Sequence, residues 1–393
     1  MSKPSRRHLW TALSGVVAAL ALSVPAANAL TRDTTATPAA HSQDAFTGRT
    51  DAALRKSLKS LVKEDGFPGA LASVSGPHGR ARNYTAGVGD LKTRSEVPTD
   101  GQVRIGSNTK TFTATVVLQL VGEGKINLDA PVDDYLPGLL RGDGIDGRNI
   151  TVRQLLQHTS GLPNYDEVIL EDYLTNKQHR YFEPREILDV VLNKKALSAP
   201  GVRWNYSNAN YIVAGLLVQK VTGRPIGEEI TDRIIEPLHL RHTYWPAIGD
   251  QTIKGRHPHG YFAATPDTPY TDVTEQDPSA AWAAGALIST PSDVNRFFSA
   301  LLDGKLLEPA QLKEMQTTVD AVKDVRYGLG LATVNLSCGG FAWTHGGNTP
   351  GYTINNAVTK DGRAAAVAVT ALPITIPASE HLDAALDTVL CAR

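Results

Sequence analysis

The sequence predicts an α/β part joined to an all-α part: an antiparallel sheet with flanking helices, formed by the N- and C-terminal segments, carrying an inserted helical domain. Three observations lead there. Strand patterns occur near both ends of the chain, whereas the middle, from about Gly124 to Ala280, alternates short helical patterns with loops rich in Gly, Pro and Asp. Each end also carries an amphipathic helical segment able to back such a sheet. The boundaries that follow are 46–123 and 286–393 for the α/β domain and 124–285 for the helical domain, with no internal repeat.

Residues 1–29 read as a signal peptide. A basic start (Lys3, Arg6, Arg7) precedes an apolar run from Leu9 to Val24 and a small-residue cleavage site, Ala27-Asn28-Ala29. Ser5-Arg6-Arg7 is similar to a twin-arginine signal. The apolar run is short for a membrane span and no second one follows, so a secreted chain without a span in its mature part is expected. Residues 30–45, rich in Thr and Ala, read as a flexible spacer.

Ala52 to Val62 carries Leu54, Leu58 and Leu61 at helical spacing. Ala70 to Ser75 and Asn83 to Val88 read as a hairpin around Pro77-His78-Gly79. Val152 to His158, Pro184 to Asn193 and Ala209 to Thr222 are helical patterns of the centre. Strand signals return at Tyr327 to Val334, Phe341 to Thr344, Tyr352 to Val358 and Arg363 to Thr370, the last two joined by Lys360-Asp361-Gly362. A final helix presents Leu382, Ala385, Leu386, Val389 and Leu390 on one face, with Ser379 as its expected N-cap.

Charge excludes some functions. Lys plus Arg number 39 against 40 Asp plus Glu, so no field of one sign points to nucleic acid or an anionic membrane. The two cysteines, Cys338 and Cys391, both fall in the exported part, and an even pair in an oxidising compartment is most simply a disulfide. Closing that loop would stabilise the fold by roughly 4 kcal/mol on the chain-entropy model. No histidine stands at zinc-like spacing from either cysteine, and His257-Pro258-His259 is a poor metal site, so no metal or other cofactor is expected. H-E-x-x-H, Gly-x-Ser-x-Gly and P-loop patterns do not occur.

Ser107-Asn108-Thr109-Lys110 puts a hydroxyl and an ammonium one helical turn apart. The helix after it (Phe112, Ala114, Val116, Val117, Leu118, Leu120) is apolar on nearly every face and so buried. A lysine at the start of such a helix is desolvated, its pKa falls, and it can take the serine proton. About one or two Ser-x-x-Lys matches arise by chance in a chain of this size, and Ser60-Leu61-Val62-Lys63 is such a decoy, on a charged amphipathic helix that keeps its lysine solvated. Tyr206-Ser207-Asn208 is the one Tyr-x-Asn; a phenol beside a cationic lysine can lose its proton more easily, and an amide can hold a substrate carbonyl. His345-Gly346-Gly347 closes the strand Phe341 to Thr344, where glycines permit close backbone approach.

The three elements together resemble the serine β-lactamase and D,D-peptidase superfamily, in particular the secreted D-alanyl-D-alanine carboxypeptidases related to class C β-lactamases. The resemblance covers nearly the whole mature chain. It includes Arg104-Ile105-Gly106, Leu155 to Leu162, Pro237 to Leu240, Ala284-Gly285, Tyr327 to Leu331 and the cysteine spacing. It implies a β-lactamase/D,D-peptidase-like fold, Ser107 as nucleophile, and Lys110 and Tyr206 as acid–base partners. Asn208, His345, Gly346 and Gly347 would line the cleft, His345 among the catalytic groups, and the backbone N–H groups of Ser107 and Asn348 would form the oxyanion hole.

The activity so implied is a D-Ala-D-Ala carboxypeptidase or transpeptidase working through a Ser107 acyl-enzyme, on small peptides or β-lactams and on bacterial cell-wall peptidoglycan, as a monomer. An esterase, a D-aminopeptidase or amidase, or a β-lactamase on the same scaffold is the alternative. A non-catalytic wall-fragment or β-lactam binder is the rival from another class, but it has no need of Ser107, Lys110 and Tyr206 together. Two departures bear on substrate. The third motif of such peptidases usually carries a hydroxyl where this chain has Gly346, and Ala332-Thr333-Val334-Asn335 offers no cation for a substrate carboxylate. A cation would have to come from the centre, from Arg224, Arg241 or Arg256.

Overall fold

The computed structural model describes residues 48–77, 80–174 and 177–392. The expected signal peptide and spacer lie outside the described residues, as do His78 and Gly79 of the expected turn.

Helix α1 (Gly48–Lys63) turns Leu54, Leu58 and Leu61 inward and leaves Lys63 exposed, so the lysine of the half-buried Ser60 decoy stays in water. Strands β1 (Gly69–Ser75) and β2 (Arg82–Gly87) form the expected hairpin. Helices α2 (Thr109–Gly122), α3 (Val152–Leu156), α4 (Asp166–Leu174), α5 (Pro184–Leu192) and α6 (Ala209–Thr222) follow, then α7 (Pro291–Leu302). The chain then runs through β3 (Val319–Val322), β4 (Val325–Tyr327), β5 (Ala332–Asn335), β6 (Phe341–Thr344), β7 (Gly347–Thr349), β8 (Tyr352–Thr359) and β9 (Ala364–Val369). It ends on α8 (Ile376–Cys391).

Among the described residues these strands make one nine-stranded antiparallel sheet, ordered β2-β1-β9-β8-β6-β5-β4-β3, with β7 paired to β8. The chain ends meet at its centre, where Ala70 lies opposite Val369. Strand β9 is buried on both faces because side chains alternate. Ala365, Val367 and Val369 pack under α1 and α8 with Leu54, Leu58 and Leu382, whereas Ala364, Ala366 and Ala368 join the larger core on the other face. That core is continuous with Phe112, Val116, Tyr211 and Leu217 of α2 and α6, and Phe297 of α7 stacks on Phe112 at 3.6 Å. Cys338 and Cys391 are joined, Cα–Cα 5.5 Å, fastening α8 to the turn between β5 and β6.

Two expectations need correction. The segment Tyr327 to Val334 is two strands rather than one: Gly328 N–H donates to Leu331 O, Gly330 takes a left-handed φ of +72°, and β4 doubles back onto β5. The N-cap of α8 is Thr375, whose hydroxyl accepts from Ala378 N, and Ser379 lies inside the helix. Pro377 falls in the first turn, where the missing N–H costs nothing.

Candidate active site

Ser107 stands on a short turn, Gly106–Asn108, immediately before α2. Gly106 adopts φ +49°, and a Cβ there would lie 2.7 Å from both N and O of Asn348. Only glycine fits, and its absence of a side chain brings the backbone of β7 against the serine turn. Gly347 is constrained likewise, since a Cβ would overlap Ile105 O. Asn108 staples the turn through Nδ2 to Ile105 O (3.2 Å) and Ile354 O (3.4 Å). Asn348 N thus faces the start of α2, where the expected oxyanion donors, Ser107 N and Asn348 N, would stand.

Lys110 is fully buried in the first turn of α2. Its Nζ lies 2.9 Å from Ser107 Oγ, 2.6 Å from Asn208 Oδ1 and 2.8 Å from Ala284 O. Burial pulls its pKa down to about 7, with the Asp166 carboxyl opposing the shift. The two other neighbours decide where the neutral amine's lone pair points. A peptide carbonyl and an amide oxygen can only accept, so they take the two N–H bonds, and only the Ser107 hydroxyl can donate to the lone pair. Asn208 cannot flip, because its Nδ2 donates to Asp166 Oδ1 at 2.7 Å. Asp166 accepts also from Asn164 Nδ2 at 2.8 Å, and burial raises its pKa.

Tyr206 OH donates to Ser107 Oγ at 2.8 Å. Its pKa is raised, by burial first and by Asp166 after, so the expected easier loss of its proton gives way to a neutral phenol. Desolvation outweighs the hydrogen bond with Ser107, which pulls the other way. The hydroxyl of Ser107 therefore lies between a base, Lys110, and a proton donor, Tyr206.

His345 is placed differently from the expectation of a catalytic group. Its Nδ1 meets Gly346 O at 2.7 Å, which requires Nδ1–H, and its Nε2 accepts from Tyr327 OH at 2.9 Å. Both nitrogens are occupied away from Ser107, and burial with Lys110 nearby lowers its pKa to about 3. It borders the cleft as a neutral ring. Gly346 and Asn348 line the same cleft, while Gly347 is buried against Ile105.

Sequence reasoning assigned no role to Asp166, Ala284, Tyr327 or His158. His158 is fully buried at φ +61°, its Nδ1 accepting from Ser207 N (3.2 Å) and Asn210 Nδ2 (3.0 Å). Its ring lies 4.3 Å from that of Tyr206, and its carbonyl accepts from Asn205 N. His158 therefore holds the Tyr206 segment from three sides. Ala284, Tyr327 and His158 stand in the segments that carried the resemblance, which was their available signal; Asp166 had none. No group of three His, Cys, Asp or Glu side chains able to hold a metal occurs among the described residues.

The beta-lactamase family model matches residues 54–389. The chain belongs to the beta-lactamase family. Among solved structures, a D-stereospecific amidohydrolase from Streptomyces sp. is 39% identical with a TM-score of 0.78, covering 85% of this chain and 97% of that one. The D-amino acid amidase of Ochrobactrum anthropi SV3, solved with D-phenylalanine, is 27% identical with a TM-score of 0.76, covering 87% and 98%. Protein flp of Staphylococcus aureus is 32% identical over 161 residues, 41% of this chain, and the match spans 31% of that relative's length. This beta-lactamase-family chain is accordingly a serine hydrolase of the β-lactamase and penicillin-binding superfamily, with neighbours described as an amidohydrolase and an amidase.

Proposed function

We propose that the protein hydrolyses amides and esters of D-amino acids through a Ser107 acyl-enzyme, without requiring a free carboxylate on the leaving group. The carrying observation is the charge along the cleft. Where the third motif and β5 wall it, the side chains are Ala332, Thr333, Val334 and Thr344, followed by Asp383 and Asp387. Arg224, Arg241 and Arg256 do not line it; the cations that do are the buried Arg104, Lys177 and Arg180, none of them on β5 or the third motif. The side-chain amide of Asn348 is buried at the cleft with both polar atoms unpartnered among the described residues, a donor and an acceptor for a substrate amide. Two neighbours, one described as a D-stereospecific amidohydrolase and one as a D-amino acid amidase, support the stereochemistry.

In the proposed reaction Ser107 Oγ attacks the substrate carbonyl as its proton passes to Lys110, and the developing oxyanion faces the N–H groups of Ser107 and Asn348. Tyr206 gives its proton to the leaving amine or alkoxide and recovers one from Lys110. Water attacks the acyl-enzyme by the reverse proton path. The Cys338–Cys391 disulfide supports an oxidising compartment as the place of work.

The test compares kcat/KM for a peptide ending in D-Ala-D-Ala with the same peptide amidated at its C-terminus. Blocking is expected to lower kcat/KM less than about tenfold, ~1.4 kcal/mol, or to raise it. A loss of a hundredfold or more would assign the cleft to a carboxypeptidase that reads the terminal carboxylate.

A further inference from the structure

The cavity that holds Ser107 does not end at the third motif. It continues beneath α8, where Thr344, Asn355, Asp383, Leu386 and Leu390 line it. The strand register makes the continuity physical. Thr344 pairs with Ala357 and Gly347 with Ile354, so Gly346 stands beside Asn355 on β8. Alternation turns Asn355 to the α8 face, the face on which Ala357 packs in the core under α1 and α8. The position where related peptidases carry a hydroxyl thus lies one strand from Asn355.

Asn355 donates through Nδ2 to Asp383 Oδ1 at 2.7 Å. Its own Oδ1 is buried with no partner among the described residues. Asp383 has no basic partner among the described ion pairs, and burial raises its pKa to about 7, with Glu380 adding to the shift. Asp387, one helical turn on, is already engaged by Ser337 N. What remains is a carboxyl and an orphan amide oxygen, two acceptors side by side in an apolar channel flanked by Leu386 and Leu390. Acceptors of that kind call for a donor that brings positive charge.

Resting on the amidase reading, we propose that this channel is a substrate subsite for a primary ammonium on an aliphatic arm, held by Asp383 and Asn355. The methylenes of such an arm pack on Leu386 and Leu390, and its N–H groups meet the Asp383 carboxylate and Asn355 Oδ1. Among the described residues no cation pairs with Asp383, so the arm supplies the missing charge.

The experiment uses matched substrates: D-lysine amide against its Nε-acetyl form, and the D-phenylalanine amide of 1,4-diaminobutane against its N-acetylated form. D-phenylalanine amide, which has no arm, is the reference. In at least one pair acetylation is expected to lower kcat/KM about tenfold or more, the loss of a charge-assisted contact. In Asp383→Asn that ratio should fall to within about twofold, with D-phenylalanine amide turnover and the urea midpoint little changed. Asn355→Ala should reduce the same ratio without removing it. Equal rates for free and acetylated amines in both pairs overturn the subsite, as does a preference that survives Asp383→Asn. Failure of every form to hydrolyse D-phenylalanine amide would instead overturn the amidase reading, so the two failures are distinct.

Discussion

Lys110→Arg is expected to lower acylation about a thousandfold while the fold is kept. The guanidinium retains the charge and can donate to Asn208 Oδ1 and Ala284 O, but it does not lose a proton at accessible pH. A positioned general base contributes about 10²- to 10⁴-fold, and among the described residues Lys110 is the acceptor open to the Ser107 proton, since Tyr206 faces the same oxygen as a donor. The wild-type pH profile carries the same signature. With the Lys110 pKa pulled to about 7, the amine is protonated below that pH and neutral above it. Acylation should therefore fall about tenfold per pH unit below 7 and level off above it. The cleft histidines cannot supply this limb, because burial holds both His158 and His345 well below their usual range. Asp383 titrates nearby, so the limb should persist in Asp383→Asn. Acylation in Lys110→Arg within tenfold of wild type would mean that Tyr206 or water serves as base.

Ser107→Ala is expected to lower kcat/KM for D-phenylalanine amide by about 10⁴-fold or more, ~5.4 kcal/mol at 1.36 kcal/mol per decade. Lys110 would keep Asn208 and Ala284, so its burial stays compensated and stability should move by less than about 1 kcal/mol. Ser60→Ala, on α1 and away from the cleft lining, should leave turnover unchanged. A residual rate within a hundredfold of wild type in Ser107→Ala would place the nucleophile elsewhere.

Much of this site was legible because its chemistry is written at short spacing. Ser107 and Lys110 are one turn apart on a helix apolar all round, and that composition alone dictates a desolvated lysine. Tyr206 and Asn208 follow from a triple of motifs and from the resemblance. What decides the proton's path was not legible. Asp166 reaches Asn208 across 42 positions, and Ala284 reaches Lys110 across 174, with no local pattern to announce either. The resemblance put His345 among the catalytic groups, but the Tyr327 hydroxyl that occupies it comes from another strand. The fold shows the same division. Helix α5 follows a helical period, burying Ile187, Leu188 and Val191, and β1, β9 and α6 are legible as apolar runs buried on every face, whereas β4 and β5 were merged because alternation runs on through the Gly328 to Leu331 turn. Ser379 was expected to cap α8, but Thr375 does so four residues earlier, with Pro377 accommodated in the first turn.

One atom, Ser107 Oγ, forms the covalent bond with the acyl group in the proposed reaction. Incubation of the full chain with a β-lactam, then with an activated ester of D-phenylalanine, followed by intact-mass and peptide mass spectrometry, tests this directly. One adduct per chain is expected, carried by the peptide containing Ser107 and absent from Ser107→Ala. An adduct on Ser60 or any other residue, or no adduct from either reagent while turnover is measurable, would contradict the account.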